Sequence, residues 1–549
     1  MEKRLLIAAG LSLAVLILWD VVVPKPRRQP PPAAPASPTS AAAPAVSPSA
    51  SAAAAPSAEA APIPPASASE ELRTVVENDV MKITLSNRGA VASSIVLKRY
   101  KDEQGNPLEL VRAVPGAPSR PLALDFPGQP DRTAKAAQAL YAVDRVGDRG
   151  VRLRFSEGPV QVQKEILLSD GYLFDVKVSA PGAPYTLVVA AGLRNPTDAE
   201  LASRYVMPAT GVATSGGGLE KVRAEKLSKP VSVPMPANGF AGIEDNYFLA
   251  VLLPSRETEA VLWAVTSSDA AGKKQTTLAA GIAGNGDASA RGYYGPKDVE
   301  TLESFKLGLE RTVDFGWFGV LARPLLWLLK KTYATVGNWG VAILLVTLLI
   351  RVALFPLMHK SYVSMKKMQK LAPKMNAIRD KYKKAKTDAA QRAKMNQELM
   401  ALYQAEGYNP MSGCLPILLQ LPILVAFYNV LSRAIELRHA PFALWIRDLS
   451  AVDHTYVLLI LMIVSMYVQQ AMTPSTADPA QKKIFMAMPL LWGFFLKDMP
   501  SGLVLYWLFS NLLTIGQQVL INRLVRDEPA AEPADRRKAR VAKVKGAGR

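Results

Sequence analysis

The stretch "NWGVAILLVTLLIRVALFPL" at 338–357 reads as a membrane-spanning helix with one fixed charge inside it, Arg351. About 20 apolar residues cross the roughly 30 Å hydrocarbon core, and an arginine near the middle costs about 2.5–3.5 kcal/mol on insertion scales. A chain with this segment must find a setting for that guanidinium inside a membrane. Apolar runs at 415–434, 455–472, 484–497 and 503–521 add further spans, the fourth of these five being short. "LLIAAGLSLAVLILWDVVV" at 5–23 follows Lys3 and Arg4, with neither a prompt cleavage site nor a lipoprotein cysteine. It reads as an uncleaved anchor. Six spans put both termini on one side.

Between the anchor and the later spans the composition changes twice. Residues 29–69 are nearly all Ala, Pro and Ser, a mixture that cannot bury a core and predicts a disordered tether. From there to about residue 312, stretches such as "VRLRFSEGPVQVQKEILLSDGYLFDVKVSA" alternate apolar and polar residues between Gly, Asn and Asp breaks. That pattern predicts half-buried strands in one large β domain, a sandwich. The segment 315–337 is apolar but carries Arg323, Lys330 and Lys331, which suits an amphipathic helix lying at the headgroup level. Trp317, Trp327 and Trp339 fit the same depth.

The net charge of +19 is unevenly placed. Residues 359–413 hold twelve Lys or Arg against four acids, and the tail 523–549 holds nine against four. Such excess points to ribosome, nucleic acid or anionic lipid as partners. Met365, Met368, Leu371, Met375, Ile378 and Tyr382, answered by Leu399, Leu402 and Tyr403, recur at helical steps, so 359–413 reads as a helical hairpin with one apolar seam. The basic loops set the orientation: hairpin, tail, N-terminus and Lys482/Lys483 inside, β domain outside. Lys25, Arg27 and Arg28 argue the other way for the first span alone. The domains are then 1–23 anchor, 24–69 linker, 70–312 β domain, 313–337 interfacial helix, 338–522 membrane core and 523–549 basic tail.

None of the five later spans contains an acid that could neutralise Arg351. The arginine lies about 12 Å along its helix from His359, in the inner half of the bilayer. Thr347, Gln420, Asn429, Ser465, Gln469, Gln470, Ser510, Asn511, Thr514, Gln517 and Gln518 interrupt the spans. Together they suggest a hydrated groove reaching part-way across from the cytoplasm. The plainer alternatives are an arginine that snorkels to the headgroups and polar residues that form ordinary interhelical hydrogen bonds. A transporter or channel would also place charge within spans, but it predicts an inverted repeat and partner acids, and neither is visible. A tethered carbohydrate-binding or enzymatic β domain needs a cluster of acids or aromatics that 70–312 does not supply. One cysteine, Cys414, excludes an intrachain disulfide; with three histidines, it argues against zinc. No P-loop, dinucleotide fingerprint or nucleophile elbow is present, and no cofactor is expected.

"VDFGWFGVLARPLL", "NPMSGCLPILLQLPILVAFYNVL" and "PSGLVLYWLFSNLLTIGQQ" resemble, in order and spacing, the YidC/Oxa/Alb family of membrane insertases. "LSNRGAVASSIVLKRY", "DNYFLA" and "YYGP" resemble more loosely the periplasmic domain of its Gram-negative members. The resemblance implies an α+β inner-membrane protein, not an enzyme. It implies a periplasmic β-supersandwich, an interfacial helix, five core helices, an extra N-terminal anchor and a cytoplasmic hairpin. Its groove arginine maps onto Arg351 with Thr347 nearby, and Tyr506 and Trp507 fall where substrate-contacting aromatics stand. Gln420, Asn429, Ser510, Asn511, Thr514 and Gln518 complete the expected groove. Lys366, Lys367, Lys370, Lys374, Arg379, Lys383 and Lys384 are the expected contacts for ribosome and signal-recognition components. Nascent membrane proteins, the Sec translocon and anionic phospholipid are the other implied partners, with a monomer sufficient. Lys497 and Asp498 depart from the family pattern, which favours aromatic or apolar residues there, so no substrate-contacting aromatic is expected at that spot.

Overall fold

The computed structural model describes residues 63–112, 120–195, 209–268, 274–316, 318–382, 388–406, 415–473 and 479–524. The expected anchor at 1–23, most of the linker, Trp317, Lys383, Lys384, Cys414 and nearly all of the tail lie outside these residues.

Alternation becomes sheet from Arg73 to Pro296. Four strands, β1 (Arg73–Glu77), β2 (Met81–Ser86), β3 (Val91–Lys101) and β4 (Pro107–Glu109), pair in sequence order as one antiparallel sheet. The remaining twelve make a larger sheet whose spine is two long strands, β9 (Leu173–Ala191) and β16 (Lys274–Pro296). They pair antiparallel with irregularities beside Gly281 and Gly286. Such bulges let a long pair bend and twist without losing its ladder. Apolar side chains of the two sheets meet in one core that includes Ile83, Ile95, Val162, Ile166, Phe174 and Tyr294, each 1% exposed or less. In β8 (Val160–Leu168) the inward positions are Val160, Val162, Lys164, Ile166 and Leu168. One of those five is a lysine.

Helices follow. α1 (Pro130–Gln138) and α2 (Val299–Ser304) are short elements of the β domain. α3 (Gly319–Val336) buries Ala322, Leu325, Leu326 and Leu329 and exposes Val320 and Trp327. It stops at Gly337, whose φ of 67° and N–H bond to the Tyr333 carbonyl form a left-handed C-cap. The next residue, Asn338, caps the following helix by accepting from the Val341 N–H at 3.0 Å. So the dipeptide Gly337-Asn338 ends one helix and starts another. α4 (Trp339–Lys370) runs without a break past the apolar stretch, so the first arm of the expected hairpin grows directly out of the span. α5 (Ala372–Lys381) and α6 (Ala389–Ala405) complete the hairpin. Lys374–Glu406 and Lys381–Glu398 ion pairs bridge the arms, and Met375 is buried between them.

Of α7 (Leu415–Arg433), α8 (Val457–Met472), α9 (Pro479–Leu496) and α10 (Ser501–Leu524), α10 packs on α4, α7 and α8, α7 also meets α4, and α9 packs on α8. Among the described residues, Trp339–Lys370 and Ser501–Arg523 are long and apolar enough to cross a bilayer, while Val457–Met472 is apolar but shorter. Val352, Leu349, Ile460, Val464, Leu490, Phe494 and Leu512 stand about half or more exposed around the bundle. Apolar exposure on that scale belongs in lipid rather than water.

Residues 434–453 cap one end of the bundle. Ile435, Leu437, Ile446 and Leu449 are buried there. Phe442 sits on Gly340, where an added Cβ would fall 2.0 Å from the ring. The Leu449 carbonyl accepts from the Gly502 N–H at 2.9 Å, and the Ala451 carbonyl from the Ser501 N–H at 2.7 Å.

The β domain is tied to this capped end by "DNYFLA". Asp245 accepts from the N–H groups of Tyr247 and Phe248 at 2.8 and 2.7 Å and pairs with buried Arg194 at 2.5 Å. Asn246 donates to the Ser432 carbonyl at the end of α7, and Arg438 lies over the Phe248 ring and donates to the Lys101 carbonyl. At the same junction Lys330 of α3 meets three carboxylates: Asp298 at 3.0 Å, Glu300 at 3.2 Å and Glu436 at 2.5 Å. Burial alone would lower the Lys330 amine, but the carboxylates win and hold it well above its ordinary range. Burial pushes the Glu436 carboxyl up, with Lys330 opposing.

Candidate functional site

Arg351 sits twelve residues into α4, about 18 Å from the capped end. It is half-buried. Its Nε donates to Ser510 Oγ of α10 at 3.1 Å, and its Nη2 donates to the same oxygen. Among the described residues no carboxylate lies within ion-pair distance of it. One hydroxyl satisfies part of a five-donor group, so the remaining donors need water, lipid phosphate or a guest.

Ser510 is itself buried, one turn from Tyr506 on α10. Tyr506 is 2% exposed, stacks on Phe427 at 4.0 Å between ring centroids, and accepts from Gln420 Nε2 at 2.6 Å. Arg351, Ser510, Tyr506 and Gln420 thus bring α4, α10 and α7 together in one polar seam. Thr347 lies one turn from Arg351, buried, its hydroxyl donating to the Ile343 carbonyl of its own helix. Thr514 does the same with the Ser510 carbonyl. Trp507 points away from the seam and packs on Trp492 of α9 at 5.6 Å.

Two expected groove residues face a different helix. Asn511 donates to Ser465 at 3.0 Å, and Gln518 to Thr473 at 3.2 Å, both joining α10 to the α8 side. A helix turns about 100° per residue, so Ser510 and Asn511 cannot share a face. Asn429 turns elsewhere again: its amide lies against Gly316, before α3. Lys497 pairs with Asp498 at 2.9 Å just beyond the end of α9, beside the cap.

Of the expected ribosome contacts, Lys370 is exposed on the last turn of α4, Lys366 is half-buried, and Lys374 spends its charge on Glu406. Arg379 is half-buried, and the Lys367 side chain lies outside the description. The hairpin base is fastened to the bundle by Tyr362, which donates to Asn522 of α10 at 3.3 Å.

One residue that alternation hid is Lys164. Fully buried, its Nζ donates to the carbonyls of Gly89, Ala90 and Leu122 at 3.2, 2.8 and 2.7 Å. It ties the large sheet to the turn after β2. Burial pulls its amine down to about 7.

The molecule is therefore a helical membrane bundle with a soluble β domain fixed over one end and an arginine without a carboxylate partner, among the described residues, inside it. Residues 331–528 match the family described as 60Kd inner membrane protein, and residues 73–328 the one described as YidC periplasmic domain. The membrane protein insertase YidC of Syntrophus aciditrophicus is 35% identical over 556 residues, covering 95% of this chain and all of that one. Its counterpart from Citrifermentans bemidjiense is 34% identical, covering 96% of this chain and all of that one. A crystal structure of an active YidC insertase with its first transmembrane domain resolved aligns at 20% identity and a TM-score of 0.36, covering 83% of this chain and 94% of that one. The chain belongs to the YidC family, inner-membrane proteins with a periplasmic domain.

Proposed function

We propose that this protein inserts nascent membrane proteins into the inner membrane through a hydrated groove built on Arg351, Ser510, Tyr506 and Gln420. The groove opens to the cytoplasm and to lipid, and the five helices α4, α7, α8, α9 and α10 cross the bilayer around it. The observation that carries this reading is the guanidinium held by one hydroxyl, with no carboxylate beside it among the described residues. A cation in that state attracts the acids of a polar segment and lowers the cost of bringing them below the headgroups. The apolar segment then leaves sideways, driven by its transfer from water to lipid. No covalent bond changes, so the process is not enzymatic. Lys366, Lys370 and their neighbours at the hairpin base hold the ribosome or targeting factors, a contact that weakens with salt. The same groove serves clients delivered alone or beside the Sec translocon, and one copy of the chain is sufficient.

The test compares two clients differing only in the charge of a short translocated tail. Arg351→Ala should slow insertion of the acidic-tail client on the order of tenfold, the equivalent of about 1.4 kcal/mol. It should leave a neutral-tail client little changed, with Arg351→Lys between. Equal insertion of the acidic client by wild type and Arg351→Ala would falsify the charge role.

A further inference from the structure

Helices α8 and α9 meet at the end of the bundle away from the cap, and between them lies an open-sided slot of about 510 Å³. Tyr467, Lys482, Lys483, Met486, Ala487 and Leu490 line it. Its chemistry changes along its length. Both lysines are exposed at the inner end of α9, and neither has an ion pair among the described residues. Beyond them the wall is apolar. Residues 483, 487, 490 and 494 follow at helical spacing on α9, and Leu490 and Phe494 are 65% and 66% exposed. On α8 Tyr467 lines the slot, and Val464 and Ile460 continue from it at helical spacing, the three exposed by 43%, 53% and 57%. From Lys483 to Phe494 the stripe is about 16 Å long.

We infer that this slot binds an anionic phospholipid, its phosphate between Lys482 and Lys483 and one acyl chain lying along the stripe toward Leu490 and Phe494. The charge gradient selects this occupant. A soluble anion has no use for 16 Å of apolar wall, and an apolar transmembrane segment has no use for two adjacent ammonium groups at its end. An amphiphile with a negative head matches both, and basic recesses between helices on the inner face suit such heads. Tyr467 adds an amphipathic ring near the headgroup level. The slot lies on the lipid-facing side of α8, whereas Ser465 of the same helix faces α10. It is therefore separate from the seam at Arg351, and lipid binding here stands or falls independently of the insertion reading.

The test uses the full chain purified from vesicles of equal phosphatidylglycerol and phosphatidylcholine, with bound lipids counted by native mass spectrometry. Wild type should retain phosphatidylglycerol in preference on the order of tenfold, Lys482→Gln/Lys483→Gln should lose that preference, and Lys482→Arg/Lys483→Arg should keep it. Val464→Trp/Leu490→Trp, which fills the stripe and leaves both charges, should lower retention of either lipid at this site. Equal retention of the two lipids by wild type would overturn the proposal, as would an undiminished preference in the Gln variant. So would displacement of the lipid by inorganic phosphate or glycerophosphoglycerol, which would make this a site for anions alone. A photocrosslinker at Ala487 should capture lipid; capture of the nascent client instead would also refute it.

Discussion

Lys330 and Arg351 are both cations removed from bulk water, and their settings are opposite. Lys330 sits at the junction of β domain and bundle among three carboxylates. Arg351 sits within the bundle with a serine. The first arrangement is closed: every charge has a partner, and removing one strands the others. The second is open, since removing the arginine strands only a hydroxyl. Lys330 is neutralised where it stands, and Arg351, among the described residues, is not. Lys164 stands between the two, a buried amine with no carboxylate partner among the described residues but with three backbone carbonyls around it.

The contrast can be broken by stability measurements in detergent. The largest effect is expected at the junction. Lys330→Ala leaves half-buried Glu436 and Asp298 without their cation and should cost about 3 kcal/mol, the low end for breaking a buried pair. Lys330→Met with Glu436→Leu should cost less than the single change, because both charges leave together. Next is Lys164→Met, which orphans three carbonyls and should cost about 2 kcal/mol.

Its pH signature has a definite sign. The amine titrates near 7 in the folded state and near its ordinary value of 10.5 unfolded, so between those limits the unfolded chain binds more protons. Stability should therefore rise as pH goes from 7 toward 10 in wild type, and that component should vanish in Lys164→Met. A wild-type curve flat over that window would show that the three carbonyls keep the ammonium charged.

Arg351→Ala should shift the melt by less than about 1 kcal/mol, in line with a half-buried group bonded to one hydroxyl. A loss as large as that of Lys330→Ala would make the arginine a structural residue and end the comparison. Smallest of all, Asn511→Ala should cost about 0.6 kcal/mol, the usual worth of an interhelical hydrogen bond in a membrane.

The broad architecture was legible because it rests on two periodicities. Alternation marks the β domain, and long apolar runs mark the helices. What escaped depends on partners far away in sequence. "VQVQKEILL" shows by its period that Lys164 shares a face with Val162 and Ile166, but not what accepts from its amine, since those carbonyls lie 42 to 75 residues away. Lys330 reads as the wet side of an amphipathic helix, and only the fold brings Asp298 and Glu436 to it. The polar residues of α10 were visible as a group, but their division was not. Ser510 faces Arg351 while Asn511 and Gln518 face α8, a matter of helical phase relative to neighbours that one sequence does not fix. Residue spacing likewise could not tell that α4 continues as a single rod from the span into the hairpin.

The packing of residues 434–453 over the bundle sets a depth limit. Phe442 pressed on Gly340 and Leu449 on Gly502 leave the described helices stoppered at the end that carries the β domain. On the insertion reading proposed above, a polar segment entering from the other side would meet these packed side chains as a floor.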